Sequence, residues 1–418
     1  MAAGALKSPD WNLGRELWPQ NAIYTEVYKA GPLLGMIDKD GTFGETVRHI
    51  AVGTGTPQGV GPDFSEAKRN KSPSIAKVFA FTPMKYYSLF SIENLLIEQA
   101  KINQAVIVKP YMRESEGALE TWNRDMSGFL YGNGGGAFGR IASISGNTIV
   151  LTDPLRARFF YENMAVTLSL TDGTSGAIKP GSPLYVAGVE DDDTADAGTI
   201  TFTTPVLSNY PTALVNDYLF RSGVFGNVIT GLAGWIPPVK PGTGAVPGTL
   251  FTVDRTVNSR KYAGFRIGAL GLTFYEAGMK AATMMVNASA KPDTWVMNTS
   301  DWNVFRSQLE GAGNLVRTTT PAAGIGDFKP GMSYDAIVLK GPRGEIKTVA
   351  DPDCPAGRSY MLQLATWTLA SVGPLVRLVD GERTEENSDS RESRFAGYNQ
   401  LQCEAPGFNA TIQHVLGA

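Results

Sequence analysis

The stretch TVRHIAVGTGTPQGVGPDFSEAKRNKSPSIAKVFAFTPMKYYSLFS, residues 46–91, decides the fold. Two runs rich in apolar and β-branched residues, Thr46–Val52 and Ser74–Phe81, predict strands. Residues 53–73 between them are rich in glycine and proline and predict a long loop without regular structure. Loops of this length are uncommon inside a compact domain, so we expect the strands to pair as a long hairpin that stands away from its own domain.

A hairpin of this kind needs a second surface, because two strands alone are at best marginally stable in water. The surface of a neighbouring chain would supply it, which predicts an assembly protein rather than a self-sufficient enzyme. The loop becomes basic at Lys68, Arg69 and Lys71, and Lys77 follows on the second strand. We predict that these four side chains make intersubunit contacts, with an acidic patch of the neighbour facing the basic loop.

The composition argues against several classes of protein. The 418 residues include 37 basic and 40 acidic side chains, a net charge of −3, whereas a dedicated nucleic-acid binder needs a surplus of lysine and arginine. Surfaces that merely tolerate packed nucleic acid remain compatible with this balance. Cys354 and Cys403 are too few and too far apart for a disulfide framework, which predicts folding in a reducing compartment. Neither a signal peptide nor an apolar run of membrane-spanning length is present in the sequence, so we expect cytosolic synthesis.

The chain length predicts two or three domains, and the first part of the chain has no sustained helical period. Residues 1–44 alternate aromatic and turn residues. This pattern predicts either an extended arm, with Trp11, Trp18 and Tyr24 as intersubunit contacts, or a layer packed on its own domain. Both interpretations stay open from the sequence.

A long amphipathic helix is the clearest element of the first half. Apolar residues recur at three- and four-residue steps over residues 111–131, and Leu119, Trp122 and Met126 are predicted to form the core face. Before it, Ser91 is predicted to cap a short helix. An extended run is predicted at 105–108.

Residues 139–223 change character and predict a small all-β module. Short β-branched runs alternate with glycine-rich and acidic turns, without helical periodicity. The predicted strands are Ile141–Ile144, Thr148–Leu151, Ala165–Leu170, Leu184–Val189 and Thr199–Thr203. The module looks inserted, because a glycine- and proline-rich connector resumes after it.

Helices and strands alternate irregularly from Phe265 onward, which predicts an α+β fold for this part. Thr299 or Ser300 is predicted to cap one of the helices. The other predicted elements are the helix Thr273–Asn287, the strands Thr294–Met297, Ala336–Leu339 and Met361–Thr366, and two strand-like pieces within Phe395–Val415.

Few residues suit catalysis or metal binding. His49 and His414 are the only histidines in the sequence, and both are predicted to be structural. Residues 134–139 match G-x-G-x-x-G but follow a helix instead of a strand, which predicts a flexible joint rather than a dinucleotide site. The acidic run 190–193 lacks EF-hand spacing and predicts a solvated turn. We therefore predict no catalytic, cofactor-binding or metal-binding residues, and a protein that is not an enzyme.

The order of these parts resembles that of major capsid proteins of tailed bacteriophages with the Hong Kong 97-type fold. Three local phrases are also typical of that family: GLAGWIP at 231–237, WVMN at 295–298 and QCEAPG at 402–407. The resemblance spans nearly the whole chain by order. It implies an N-terminal arm at 1–44, an extended hairpin loop at 45–90, a peripheral domain with a long spine helix at 91–138, an inserted β module at 139–223, the continued peripheral domain at 224–264, an axial domain at 265–384 and a C-terminal return to the peripheral domain at 385–418.

The resemblance also implies a function. The chain would assemble with copies of itself into hexamers and pentamers of an icosahedral shell, enclosing double-stranded DNA without specific binding and without a membrane. A separate scaffolding protein, a portal and decoration proteins are the implied partners. The protein would be made in the bacterial cytoplasm and reside in the virion. Some family members crosslink through a lysine and an asparagine, and here Lys68, Lys71 and Lys77 are candidates by location alone.

Two other functions stay open from the sequence. One is the shell of an encapsulin-type cellular compartment that loads an enzyme, which the inserted module disfavours. The other is a β-rich hydrolase with a pair of catalytic carboxylates, which leaves the projecting loop and the arm unexplained.

Overall fold

The computed structural model describes residues 31–95, 105–192, 197–311, 337–379, 383–384 and 389–414. The predicted arm contacts Trp11, Trp18 and Tyr24 lie outside these residues, as does the end of the acidic run at Asp193.

The described strands pair into three larger assemblies, a long hairpin and a short ribbon. In chain order they are β1 (Asp38–Asp40), β2 (Arg48–Gly55), β3 (Ile75–Phe81), β4 (Met84–Glu93), β5 (Gly139–Ser145), β6 (Thr148–Leu151), β7 (Ala165–Ser169), β8 (Leu184–Asp192), β9 (Ala197–Phe202), β10 (Tyr218–Arg221), β11 (Thr249–Leu250), β12 (Val253–Asp254), β13 (Phe265–Gly268), β14 (Thr294–Met297), β15 (Ile337–Gly341), β16 (Gly344–Ala350), β17 (Arg358–Leu362), β18 (Trp367–Ser371), β19 (Arg377–Leu378), β20 (Arg383–Thr384), β21 (Ser390–Cys403) and β22 (Ala410–Gln413).

The helices of the described residues range from single turns to one long helix. The α-helices are Pro32–Met36, Phe64–Arg69, Ala105–Leu130, Val206–Asn209, Leu232–Trp235, Ser259–Ala263, Phe274–Asn287 and Thr299–Gly311, and the 3₁₀ helices are Pro154–Phe159, Leu364–Thr366 and Pro406–Phe408.

A sheet of long strands packs under the helix Ala105–Leu130. Its order is β1-β18-β21-β19, with β4 and β20 also paired to β21. Leu119, Trp122 and Met126 of the helix are all buried. Gly397 of β21 lets the helix approach closely, because a Cβ there would lie 2.6 Å from the Trp122 indole. The helix and this sheet therefore share one core.

Two local predictions before this helix are wrong. The helix begins at Ala105, so residues 105–108 are helical and not extended. Pro110 removes one backbone donor from the helix, a loss that its 26 residues absorb. Ser91 does not cap a helix, because β4 continues through Glu93 by pairing with β21 over ten residues. Long-range pairing sets the strand up to Glu93, and Asn94 and Leu95 directly after it are helical.

Residues 139–221 close into an antiparallel barrel in the order β10-β5-β6-β9-β8-β7. The five strands predicted in this region are all present. The sixth, Tyr218–Arg221, was not predicted, because it contains none of the β-branched residues that mark the other runs.

The joint before the barrel is closely packed, which corrects the prediction that it is flexible. A Cβ on Gly135 would lie 1.9 Å from the carbonyl oxygen of Asp172. Gly134 and Gly136 have φ values of +93° and +85°, which favour glycine. The glycines follow a helix and precede β5, whereas a dinucleotide-binding loop follows a strand and opens a helix.

A second, mixed sheet has the order β13-β22-β17-β14-β16-β15 and its own core with the helices Phe274–Asn287 and Thr299–Gly311. Trp295 and Phe305 meet in this core with ring centroids 5.1 Å apart. Neither predicted residue caps the second helix: the Asn298 side chain accepts the backbone N–H of Ser300 at 2.9 Å.

The boundary predicted between residues 384 and 385 does not separate the strands of the two sheets. β18, Trp367–Ser371, already belongs to the sheet of long strands, and β22, Ala410–Gln413, belongs to the second sheet. The strand predicted over Met361–Thr366 ends at Leu362 and is followed by a 3₁₀ turn.

The described part of the predicted arm packs on its own domain. Leu33, Leu34 and Ile37 are buried in the main core, and β1 pairs in parallel with β18. The backbone N–H of Leu33 donates to the Asp351 carboxylate at 3.1 Å. Residues 31–44 therefore follow the second of the two interpretations drawn from the sequence.

Candidate assembly surface

The predicted hairpin is present. β2 and β3 form a two-stranded antiparallel sheet of their own, in register from Arg48 opposite Phe81 to Gly55 opposite Ile75. The register shifts between Gly53 and Gly55, which bends the ribbon. Both strands predicted from the sequence are confirmed to within three residues at each end.

The base of the hairpin is anchored on its own chain. Phe79 is fully buried and packs against Trp235 and Tyr262, with ring centroids 5.2 Å and 6.1 Å away. Lys261 Nζ donates to the carbonyl oxygen of Thr54 at 2.7 Å. The expectation that the whole hairpin stands away from its domain is therefore wrong for its paired strands. They pack on an aromatic platform formed by Trp235 and Tyr262.

The platform is itself held by a buried cation. The Arg255 guanidinium donates to the carbonyl oxygens of Gly234 at 2.6 Å and Pro247 at 3.0 Å. Burial lowers its pKa to about 10, so Arg255 remains charged at neutral pH. The indole N–H of Trp235 donates to the carbonyl oxygen of Leu401 at 3.0 Å. These contacts connect residues 231–237, a phrase noted in the sequence, to the sheet of long strands.

A short helix forms the tip of the hairpin, which corrects the prediction of a loop without regular structure. The helix Phe64–Arg69 starts at Asp63, whose carboxylate accepts the backbone N–H groups of Ser65 at 2.7 Å and Glu66 at 3.0 Å. A hydrogen bond from the Ser65 hydroxyl, followed by these two backbone hydrogen bonds, lowers the pKa of Asp63. The tip thus has a defined shape although none of the described elements covers it.

Apolar side chains on this tip project into solvent. Phe64 is 84% exposed and Val60 is 76% exposed. Ile75, where β3 begins, is also exposed. The sequence analysis missed these residues, although an isolated phenylalanine in a glycine- and proline-rich loop is a signal for them. Exposed aromatic residues at a projecting position are typical of a binding surface.

The four predicted basic residues lie on the same part of the hairpin. Lys68, Arg69 and Lys71 are exposed at the tip, and Lys77 is exposed on β3. Arg69 forms an ion pair with Glu66 within the tip helix. The hairpin tip, residues 56–75, therefore combines exposed apolar side chains with a basic rim.

The two histidines lie in different environments, and neither is placed in a cleft with a catalytic partner in the described part of the chain. His49 is exposed on β2. His414 is buried, stacks on Phe274 with ring centroids 4.0 Å apart, and shares a hydrogen bond of 2.7 Å with the Ser359 hydroxyl. Burial lowers its pKa to about 4, so the ring is neutral at neutral pH. Within the described part of the chain, no group of three or more histidine, cysteine or acidic side chains is placed to hold a metal ion.

Carboxylates with raised pKa values lie in the interior rather than in a cleft. Burial and the neighbouring Asp351 raise the pKa of Asp353 to about 7. Asp351 accepts hydrogen bonds from the Tyr131 hydroxyl at 2.7 Å and from the backbone N–H of Asp353 at 2.9 Å. Arg158 of the barrel reaches Asp353 at 3.4 Å. This cluster joins the barrel to the second sheet and to the end of the long helix, in the interior of the protein.

Two open depressions were found among the described residues, of about 520 Å³ and 360 Å³. The first lies beside Arg260, Arg266 and Met284, and the second lies between the long helix and the barrel, beside Tyr161 and Arg221. Neither is lined by the buried carboxylates, so neither combines a cavity with perturbed acid groups.

Comparison with solved structures identifies the fold. A chain of the cyanophage A-1(L) capsid asymmetric unit superposes on 92% of this chain and 93% of its own, with a TM-score of 0.51 and 14% identity. The fold is that of a phage capsid protein. The mixed helices and strands of the structure agree with the α+β class predicted from the sequence.

Weaker similarities were found to other capsids and shells. They include the capsid of an empty GTA particle (TM-score 0.43, 10% identity, covering 92% of this chain and 96% of that chain) and a virus-like particle from Pyrococcus furiosus (TM-score 0.38, 9% identity, covering 94% and 96%). No protein-family model matches the chain, and no curated protein does. Among the described residues, no helix is long and apolar enough to cross a membrane.

Proposed function

We propose that the chain is a major capsid protein that assembles into hexamers and pentamers of an icosahedral shell around double-stranded DNA. The observation that carries the proposal is the capsid fold, which extends over 92% of the chain. The exposed hairpin tip supports it, because a shell subunit must display surfaces that another copy buries.

The parts of the chain take the following roles. The hairpin at 45–90 is the extended loop, the helix Ala105–Leu130 is the spine helix, and the sheet of long strands belongs to the peripheral domain. The second sheet, β13 to β17 with β22, is the axial domain that converges on the ring axis. The barrel is a module inserted into the peripheral domain. Residues 1–30, with Trp11, Trp18 and Tyr24, tie adjacent subunits together.

Such a subunit acts by binding to neighbouring subunits and not by catalysis. The tip of one hairpin lies on the neighbour within a ring, where Phe64 and Val60 become buried and Lys68 and Lys71 meet acidic groups. Burying one large apolar side chain contributes about 1.5–3 kcal/mol per contact. Many such contacts in a closed shell add through multivalency, so each interface can be modest.

Other components complete the particle. A separate scaffolding protein guides assembly, a portal occupies one vertex, and decoration proteins bind outside. The protein is made in the bacterial cytoplasm and ends in the virion. Lys68, Lys71 and Lys77 are the candidates for a covalent crosslink, by their location on the hairpin.

Paired substitutions at Phe64 test the proposal. Phe64→Asp places a charge where the neighbour buries an apolar side chain, and Phe64→Leu keeps the apolar bulk. Because Phe64 is 84% exposed in the single chain, neither change should alter the folded subunit. We expect Phe64→Asp to raise the concentration needed for assembly roughly 10- to 100-fold, as the loss of one apolar contact predicts, and Phe64→Leu to assemble nearly as the natural protein does.

Light scattering and electron microscopy would measure assembly, with circular dichroism as the control for folding. Equal assembly of the two variants would contradict the role of the tip. The nucleic-acid content of shells isolated from the natural host distinguishes a genome container from a cellular compartment that loads an enzyme.

A further inference from the structure

One face of the sheet of long strands packs against the long helix; the other face is buried around Ala370 and Gln400 and exposed at the end formed by β4, β19 and the first half of β21. The face against the helix carries Tyr86, whose hydroxyl donates to Asp125 of the long helix, and Phe90, which is buried. Successive residues of a strand point to opposite faces, so Lys85, Tyr87 and Leu89 of β4 lie on the other side. Tyr87 is 42% exposed and Leu89 is 53% exposed, and Lys85 is exposed as well.

Strand pairing gathers cations and tyrosines at this exposed end of the other face. Directly opposed residues share a face: Lys85 lies opposite Tyr398, and Leu89 lies opposite Arg394. In the row between them, Ala396 of β21 is flanked by Tyr87 of β4 and Arg377 of β19. We call the set Lys85, Tyr87, Arg377, Arg394 and Tyr398 the basic tyrosine patch.

The side chains of the patch interact with one another. The hydroxyls of Tyr87 and Tyr398 are 3.3 Å apart, and their rings meet edge to face. The guanidinium of Arg377 lies 5.2 Å from the centroid of the Tyr398 ring. A hydrogen bond from Tyr87, followed by hydrogen bonding and charge from Arg377, lowers the pKa of Tyr398. The acidic residues of these two strands, Glu93 and Glu392, lie at the other end, beyond the row of Leu89.

The charge of the patch is local, since the chain as a whole carries −3. Among the described residues, none of its three cations forms an ion pair with a carboxylate. Its rows span four residues along β4, roughly 13 Å at 3.3 Å per residue. Duplex DNA presents about four phosphates of each strand over that length. Arginine, lysine and tyrosine side chains are common phosphate contacts.

We infer that the basic tyrosine patch is a weak, sequence-independent contact for the phosphate backbone of double-stranded DNA, and that this face of the sheet faces the packaged genome. The cations contact phosphate oxygens, and the tyrosine hydroxyl that is not donating within the pair donates to a further phosphate. With three cations, the patch of a single subunit binds DNA with low affinity. In a shell, the contacts of many subunits with the same DNA add together. The contact itself is independent of the proposed function, whereas calling the DNA a genome rests on it.

Salt-dependent binding of a short duplex tests the inference, using the full chain and fluorescence anisotropy. The variant Lys85→Ala, Arg377→Ala, Arg394→Ala removes the cations of the patch. The matched control Lys240→Ala, Lys280→Ala, Lys340→Ala removes three exposed cations elsewhere. Loss of three phosphate contacts lowers the slope of log affinity against log salt by up to about 2.7. We expect this decrease, with weaker binding at low salt, in the patch variant and not in the control.

Three results would overturn the inference. The first is that the natural protein does not bind the duplex at low salt, and the second is that the patch variant and the control have equal salt slopes. The third is that an acidic polypeptide displaces the labelled duplex at a lower concentration of negative charge than unlabelled DNA does. The last would assign the patch to an acidic protein partner. Electron microscopy of the same samples separates this result from the proposed function. Shells with an inactive patch would refute only the DNA contact, and a chain that binds DNA without assembling would refute only the shell.

Discussion

Replacing Phe79 with alanine tests whether the base of the hairpin is a fixed part of the subunit. The Phe79 side chain is fully buried between Trp235 and Tyr262. Truncating a buried phenylalanine costs about 3–5 kcal/mol of the free energy of unfolding. Two aromatic neighbours are lost as partners, and their rigid rings close the cavity poorly, so we expect a loss of about 4 kcal/mol.

Urea denaturation followed by tryptophan fluorescence measures this loss, because Trp235 lies next to the cavity. Val78→Ala is the matched control: Val78 is the preceding residue of β3, points to the opposite side and is 45% exposed. We expect the control to change the free energy of unfolding by less than about 0.5 kcal/mol. A Phe79→Ala variant as stable as the control would refute the anchored base and restore a hairpin that depends wholly on a neighbouring chain.

Three further predictions concern the interior. Burial and Asp351 raise the pKa of Asp353 to about 7, so the natural protein loses stability as pH rises from about 4 to about 7. Denaturation between these two pH values should show that Asp353→Asn removes the loss, and the variant should be the more stable protein above about pH 7. The depressed pKa of His414, about 4, has the opposite effect: stability falls as pH drops from about 6.5 towards 4, and His414→Gln should flatten that decline. Gly231→Ala should lower the free energy of unfolding by about 1–3 kcal/mol, because the new Cβ would lie 2.3 Å from the carbonyl oxygens of residues 129 and 130. Its control, Gly117→Ala, lies in open space on an exposed helix face and should raise the free energy of unfolding by about 0.5–1 kcal/mol. Equal effects of the two substitutions in thermal melts would contradict the close packing at Gly231.

The sequence predicted those elements whose pattern is local. The period of the long helix, with Leu119, Trp122 and Met126 on one face, and the two strands of the hairpin are readable because each pattern repeats over several turns or residues. The barrel strands were equally visible, since turns rich in glycine and acidic residues separate them.

Elements set by distant partners were not predicted. Ser91 belongs to a strand because β4 pairs with β21, which lies some 300 residues away along the chain. The return of β18 to the sheet of long strands likewise depends on pairing with β21. No local signal marks such a choice, since strand formation depends on the context of the sheet.

The sequence analysis selected the hairpin as a candidate surface but did not select the apolar side chains at its tip. Lys68, Lys71 and Lys77 were selected by their charge, whereas Phe64, an isolated phenylalanine in a glycine- and proline-rich loop, was overlooked, and the capped helix that carries it was not predicted. The platform under Phe79 could not be foreseen either, because Trp235 and Tyr262 reach the hairpin from far along the chain.

Electron microscopy of the purified natural protein tests the central claim most directly. The proposed function predicts rings and closed icosahedral shells built from hexamers and pentamers at micromolar concentration, with the hairpin tip of each subunit lying on its neighbour. A folded protein that stays monomeric at that concentration, in the presence and absence of a scaffolding protein, would contradict it.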